Sequence, residues 1–472
     1  MKQDIKKGSH IHLMGICGTA MASLAGLLKD RGYKITGSDQ NPYPPMSTQL
    51  EALGITIMKG YKKENLHPKP DFVIVGNVIS ASNEEAKELI KLEIPYTSLP
   101  KAMGDNIIEN RECINISGTH GKTTTTSVMA WVAEQCGVKP GFLIGGIPKN
   151  FSQSFKNPEG NFFVIEGDEY DTAFFDKVPK FIHYKPKHVI LTSVEFDHAD
   201  IYKDLDAVKS AFATLMKLIP ENGTLLACAE DKNVMGLKDL AKCKKLFTYG
   251  LKQGDYRAKV LEITTSGTRF QIEFQNKSLG EFFVILSGDY NILNAAAVIG
   301  LSHQLGWDLE KVKAALKSFA GVKRRQEILG EPKGVLVIED FAHHPTAVKE
   351  TIKGIIQKYP GRKLFSVFEP RSATSRRKIF QKDYVEAFSQ SPEIMLARAF
   401  DQSKIDEGNR FSSEELVEDL QKKGRAAHVY DNVDQIVSDL KSKTKSGDLV
   451  LIMSNGGFDG IYGKLLKALE SK

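Results

Sequence analysis

Short apolar runs recur along the chain, and each stops at a glycine or a polar cluster. HIHLM (10–14), CINI (113–116), FFVI (162–165), HVIL (188–191), VLVI (335–338) and LVLIM (449–453) are four or five residues long. Runs this short and this rich in apolar residues predict buried strands. Between them lie longer stretches that predict helices, such as SVMAWVAEQCG closed by Gly137, and SGDYNILNAAAVIGLSHQLG (287–306). Strand followed by helix, repeated, predicts α/β domains with mostly parallel sheets. In such sheets ligands lie beyond the carboxyl ends of the strands, so the residues that end each run carry the functional signal.

The chain has 472 residues. That exceeds a single core, and the pattern divides into three units, 1–108, 109–322 and 323–472. The first opens on HIHLMGICGTAM, followed by KITGSD (34–39) and DFVIVGN (71–77). Cys17 and Ala20 stand where a dinucleotide fingerprint has its second and third glycines. Yet Asp39 follows Gly15 by 24 residues (39 − 15), near the spacing of a ribose-binding acid. The unit reads as a Rossmann-like nucleotide-binding variant or as a purely structural βαβ unit.

The second unit begins at ISGTHGKTTTT (116–126). Gly118 stands three positions before Gly121, one residue short of the strict phosphate-loop spacing, but Gly121-Lys122-Thr123 is intact. A strand, a glycine turn and a helix N-terminus make an anion site, because backbone N–H groups and the helix dipole both favour negative charge. FFVIEGDEYD (162–171) ends in Glu166, Asp168, Glu169 and Asp171. HVILTSVEFDHAD (188–200) ends in Glu195, Asp197, His198 and Asp200. Acids at strand ends near a phosphate loop are suited to holding Mg²⁺. Asn291 and Asn294 share one helix face, consistent with ligand recognition or with capping.

In the third unit the strand ends carry Asp340, His343 and His344 before Pro345, then Glu369-Pro370-Arg371-Ser372, then Ser454-Asn455-Gly456-Gly457. Arg371, at a strand end, reads as placed to hold a carboxylate bidentately or as a surface arginine.

Composition narrows the picture. The net charge of +6 is spread over many lysines and gives no nucleic-acid footprint. The five cysteines form no CxxC pair and no disulfide framework, which fits a reducing cytoplasm. IHLMGICGTAMASLAGLLK imitates a signal peptide, but Gly15, Gly18 and Gly26 interrupt it and KDRG ends it. It reads as strand, turn and helix, with neither export nor a membrane span. No Ser-His-Asp arrangement or activated cysteine stands out. A phosphate loop, magnesium acids, a second nucleotide-like domain and a third domain with basic strand ends suggest ATP and two further substrates meeting in an ATP-driven ligation.

Together GTHGKTTT, EGDEYD, EFDHAD, YNILNAAA, KRR, EDFAHHPT and GICGTAM resemble the Mur ligases, in that family's order and over almost the whole chain. The resemblance implies three α/β domains: a Rossmann-like UDP-binding domain, a central phosphate-loop ATPase-like domain with a parallel sheet, and a Rossmann-like C-terminal domain for the incoming amine. It implies a cytoplasmic ligase of cell-wall peptidoglycan metabolism, using ATP and Mg²⁺ and working as a monomer or weak homo-oligomer. YPPMST, FFVIEGDEYDTAFFDK, KFIHY, EFDHADIY, FEPRSATSR and MSNGGF look more like the branch that attaches L-alanyl-γ-D-glutamyl-meso-diaminopimelate to UDP-N-acetylmuramate in recycling. The alanine-adding branch typically has Gln-Pro-His-Arg at 369–372 and lacks Tyr170; it remains the alternative, and a non-ligating ATP-hydrolysing switch is the second.

By matching position, the resemblance implies that Gly118, Thr119, His120, Gly121, Lys122, Thr123 and Thr124 surround the ATP phosphates. Lys122 would contact the β- and γ-phosphates, Thr123, Glu166 and His198 would ligate Mg²⁺, and Lys122, Glu166 and His198 would be catalytic. Asn291, Asn294, Arg325 and Asp340 would contact the nucleotide. Gly15, Cys17, Gly18, Thr19, Ser38, Asp39 and Ser80 would line the UDP site, and His120 would sit near the muramate carboxylate. Arg371, Ser454 and Asn455 would face the incoming peptide. Other Mur ligases carry a carbamylated lysine at the magnesium site; no lysine is placed there in this chain, and Lys187 does not match it.

Overall fold

The apolar runs become strands in the computed structural model, which describes residues 5–42 and 46–471. Tyr43, Pro44 and Pro45 of the YPPMST stretch lie outside the described residues. Packing divides the chain into two compact units.

The first unit comprises Met1–Glu195, Asp206–Arg257 and Ala295–Phe319. It contains β1 (His10–Met14), β2 (Lys34–Asp39), β3 (Thr56–Lys59), β4 (Phe72–Val75) and β5 (Tyr96–Ser98), ordered β3-β2-β1-β4-β5. Every pair is parallel. The stretch resembling a signal peptide is β1 and the helix Thr19–Asp30, whose residues Met21–Leu28 are all buried. It is apolar because it is core on several sides. Among the described residues no helix is long and apolar enough to cross a membrane.

The same unit holds a second sheet. Its strands begin with β6 (Glu112–Ser117), β7 (Gly141–Leu143), β8 (Phe155–Lys156) and β9 (Phe162–Gly167). A hairpin of β10 (Asp171–Ala173) and β11 (Asp176–Pro179) follows, then β12 (His188–Leu191), β13 (Thr224–Cys228) and β14 (Lys245–Gly250). The order runs β14-β13-β12-β6-β9-β7-β8, parallel except at β7–β8. β15 (Tyr256–Thr264) starts beside β14. The hairpin tip reaches the first sheet. Phe174 packs against the cluster of Met14, Leu66, Val73, Val75 and Ile79, Phe175 meets Tyr96 edge to face at 4.9 Å, and Ser98 donates to Asp176 at 2.9 Å.

Two strands are shorter than the apolar pattern predicts. HVILTSVEFDHAD is extended sheet only as far as Leu191. Thr192 and Ser193 leave the ladder because their side chains bond the phosphate loop. The 162–171 run leaves its sheet after Gly167, where Asp168 and Glu169 turn to buried lysines.

The second unit comprises Phe196–Leu205, Ala258–Asn294 and Ala320–Lys472. β16 (Gly267–Phe274) and β17 (Lys277–Val284) form an antiparallel pair that the parallel reading did not anticipate. Their sequence, TRFQIEF and KSLGEFFV, mixes polar and apolar positions, as a sheet with one wet face requires. The main sheet contains β18 (Glu327–Gly330), β19 (Leu336–Asp340), β20 (Leu364–Phe368), β21 (Glu393–Ala397), β22 (Ala426–Tyr430) and β23 (Leu449–Met453), ordered β18-β19-β23-β20-β21-β22. Only the β18 edge is antiparallel. LVLIM is apolar throughout because β23 feeds two cores. Leu449, Leu451 and Met453 join one hydrophobic cluster, and Val450 and Ile452 join the other.

Candidate active site

In the first unit the phosphate loop joins β6 to the helix Lys122–Gln135. Gly118 has φ 136° and Gly121 has φ 81°, values that favour glycine. A Cβ on Gly118 would also lie 2.2 Å from Thr192 Oγ1. The loop is pinned from the β12 side. Thr119 N–H donates to Ser193 O at 3.0 Å, His120 N–H to Ser193 Oγ at 3.0 Å, and Glu195 N–H to Thr119 Oγ1 at 2.9 Å. Gly121 caps the helix without a side-chain bond, and no acid occupies its first turn. The helix therefore presents backbone donors and a positive dipole end, the arrangement that receives phosphate.

Around this loop the structure gathers Lys122, Thr123, Glu166, Asp168, Glu169, Tyr170 and Lys180. Lys122 Nζ donates to Gly118 O at 2.7 Å and to Glu169 at 2.9 Å, and lies 3.8 Å from Asp168. Burial works against the Lys122 charge, but Glu169 and Asp168 outweigh it and hold the ammonium above its usual range. Thr123 Oγ1 donates to Glu166 at 3.0 Å, and Gly145 N–H donates to the other carboxylate oxygen at 2.6 Å. Burial, with Asp168 nearby, raises the Glu166 carboxyl. A hydroxyl and a desolvated carboxylate are hard oxygen donors, so this pair fits a divalent cation such as Mg²⁺, which would restore the charged form. His120 Nε2 lies 3.3 Å from Glu195. Lys187 stands at the opposite, entering end of β12, ion-paired to Glu112 at 2.8 Å.

The N-terminal sheet gathers Gly15, Cys17, Gly18, Thr19, Ser38 and Asp39 at the ends of β1 and β2, with Ser80 in the loop after β4. Asp39 accepts from Cys17 N–H at 3.0 Å. A buried network missed by sequence reading lies beneath them. Glu85, fully buried, accepts from Ser38 at 3.0 Å and Asn65 at 3.1 Å and meets His12 at 2.8 Å. Tyr61 lies beside them, its phenol pushed up to about 12 by burial and by Asp39.

The second unit holds the remaining predicted residues. Asn291 and Asn294 are buried in the first turns of the helix Asp289–Gln304; Asn291 Nδ2 donates to Ser287 O at 2.8 Å. Arg325 lies over Phe341, 4.6 Å from the ring centroid. Asp340 ends β19 and accepts from Gln326 N–H and Ala342 N–H, both at 2.8 Å. His198 adopts φ 54°, and its N–H donates to Asp197 at 2.7 Å. Burial opposes the Asp197 charge, but His343, His198 and His344 hold its carboxyl well below the usual range.

Register aligns Asp340, Met453 and Phe368, so Asp340, Glu369 and Ser454 emerge at one sheet edge. Arg371 is clamped there. Its guanidinium lies 3.9 Å from the Phe400 ring centroid and donates to Glu369 at 3.2 Å. On Gly456 a Cβ would lie 2.1 Å from Arg371 Cδ. Ser454 is fully buried and donates to Glu369 at 2.5 Å. Arg324 donates to Ser454 O at 2.8 Å and Gly456 O at 2.6 Å. Asn455 Oδ1 is buried without a hydrogen-bond partner. Glu369 and Lys180 sit inside the stretches FEPRSATSR and KFIHY, but no spacing rule marks either as a partner of Arg371 or Asp168.

Three family profiles match in sequence: "Mur ligase family, catalytic domain" over 10–111, "Mur ligase middle domain" over 116–302 and "Mur ligase, glutamate ligase domain" over 324–456. An Escherichia coli (strain K12) protein named UDP-N-acetylmuramate–L-alanyl-gamma-D-glutamyl-meso-2,6-diaminoheptandioate ligase is 38% identical over 463 residues, 98% of either chain. The chain belongs to the Mur ligase family. It is thus an ATP-dependent ligase. A Clostridium tetani UDP-N-acetylmuramate–L-alanine ligase is 34% identical over 447 residues, covering 94% of this Mur ligase and 95% of that protein. A crystal structure of a murein peptide ligase from Psychrobacter arcticus 273-4 superposes with a TM-score of 0.74 at 34% identity, covering 98% of this Mur ligase and 99% of that chain.

Proposed function

We propose that this Mur ligase joins the tripeptide L-alanyl-γ-D-glutamyl-meso-diaminopimelate to UDP-N-acetylmuramate. The observation that carries this reading is full-length similarity to a ligase named for that reaction, at 38% identity. The muramate carboxylate attacks the γ-phosphorus of ATP, and ADP leaves. The peptide amine then attacks the acyl carbon, phosphate leaves, and the amine nitrogen gives up a proton. Lys122 and the loop 118–124 hold the phosphates. Thr123 and Glu166 would hold Mg²⁺, for which His198 is read as a further ligand, and the ion would neutralise phosphate charge. Asn291, Asn294, Arg325 and Asp340 contact the nucleotide. Gly15, Cys17, Gly18, Thr19, Ser38, Asp39 and Ser80 line the UDP site, with His120 near the muramate carboxylate. Arg371 and Asn455 face the peptide, and Ser454 acts through Glu369.

The residues divide functionally at about 108 and 322, and the enzyme works in the cytoplasm as a monomer or weak homo-oligomer. Five cysteines without a disulfide support that compartment. The alanine-adding reaction is the second reading, favoured by the 34% identity to a ligase of that name. The deciding experiment measures phosphate release with ATP, Mg²⁺ and UDP-N-acetylmuramate, giving tripeptide or L-alanine in parallel. Release with tripeptide, and a UDP-muramyl-tripeptide mass, is the expected result. Release with L-alanine alone would transfer the enzyme to the biosynthetic branch.

A further inference from the structure

Three carboxylates, Glu166, Asp168 and Glu169, crowd the phosphate loop, with two ammonium groups, Lys122 and Lys180. The surplus of negative charge is a problem for a site that must receive a polyanion. The two lysines are placed differently. Lys122 opens the helix that follows the loop, and its amine bonds a loop carbonyl. Lys180 approaches from the far side of the hairpin β10–β11 and is 9% exposed. Its backbone N–H donates to Asp168 O at 3.1 Å, and its Nζ donates to the Asp168 carboxylate at 2.8 Å and to Tyr170 OH at 3.0 Å. The Nζ also lies 4.2 Å from the Tyr170 ring centroid. Asp168 thus lies between both lysines, 2.8 Å from Lys180 and 3.8 Å from Lys122.

We propose that Lys180, steadied by Tyr170, is a positioning residue of the ATP site: it cancels the Asp168 charge, so that the loop does not repel the nucleotide. This rests on the ligase reading above only in naming ATP as the polyanion. The test is equilibrium binding of a non-hydrolysable MgATP analogue to the full chain, which does not require ligation. Lys180→Met leaves Asp168 uncompensated and is expected to weaken binding about tenfold, the size of one unbalanced charge acting on a nearby polyanion in a protein-like medium. Asp168→Asn leaves Lys180 as a surplus cation and is expected to tighten binding severalfold. The double variant restores the wild-type net charge of the cluster and is expected within about twofold of wild type.

A structural role alone would weaken both single variants and would not be repaired in the double. Unchanged or weaker binding in Asp168→Asn overturns the proposal, and that variant decides the matter even if Lys180→Met fails to fold. A double variant as weak as Lys180→Met overturns it also. A wild type that binds the analogue but ligates neither tripeptide nor L-alanine would defeat the function proposed above and leave this inference standing.

Discussion

The phosphate loop and the Arg371 clamp each hold a cation in place, but they are built in opposite ways. Around the loop, the donors at the helix start are backbone, oriented by Gly118 and Gly121, and the side chains supply a set of closely paired charges. Around Arg371 the backbone supplies only space, at Gly456, and the orientation comes from Phe400, Glu369 and, behind them, Ser454 and Arg324. A backbone cradle suits a ligand part that never varies, such as a polyphosphate. A side-chain clamp can be re-aimed by one substitution.

Breaking the comparison at its strongest point means removing Lys122. Lys122→Ala is expected to cut turnover by roughly a thousandfold or more, since the charge facing the transferred phosphoryl group is lost. Steady-state ADP release checks this, and residual activity near wild type would end the phosphate-loop assignment. At the other end, Gly456→Ala should push the guanidinium off its seat. The expected result is a rise of about tenfold in KM for tripeptide, with KM for ATP and kcat held, because the binding lost is common to the ground and transition states. Arg371→Ala should match it, and an unaltered tripeptide KM in both variants would remove Arg371 from the peptide site. The smallest effect is expected from Glu369→Gln. It leaves Arg371 stacked but loosely aimed, raising tripeptide KM about threefold, roughly the worth of one partly exposed ion pair. That rise should vanish in an Arg371→Ala background; if it persists, Glu369 acts on the substrate by another route.

The same contrast governs what was legible in the sequence. The strands β1, β2, β6, β19 and β23 and the loop GTHGKT are contiguous, and their signals are local: apolar runs, glycines, a lysine at a helix start. The Arg371 clamp joins Glu369 to Ser454 across 85 positions and Arg324 to Ser454 across 130. No spacing rule reaches that far, so Arg371 was visible as a basic strand end while its partners were not. Lys180 was hidden for a related reason. A buried lysine reads in sequence as one more surface charge, and only the hairpin fold-back brings it to Asp168. The antiparallel β16–β17 pair escaped because mixed polar and apolar residues carry little period over eight positions.

Phe174 has a consequence for modularity. The three family profiles cut the sequence cleanly at 111 and 116, but the core of the N-terminal sheet does not stop there, because Phe174 fills part of it from the middle stretch. A fragment ending near residue 108 would carry a socket without its plug. Gene-level shuffling of that piece between relatives would succeed only where the donor's pocket and the recipient's aromatic agree. The boundary that recombination must respect therefore includes the hairpin tip of the middle stretch, Phe174, Phe175 and Asp176, and not the linker alone.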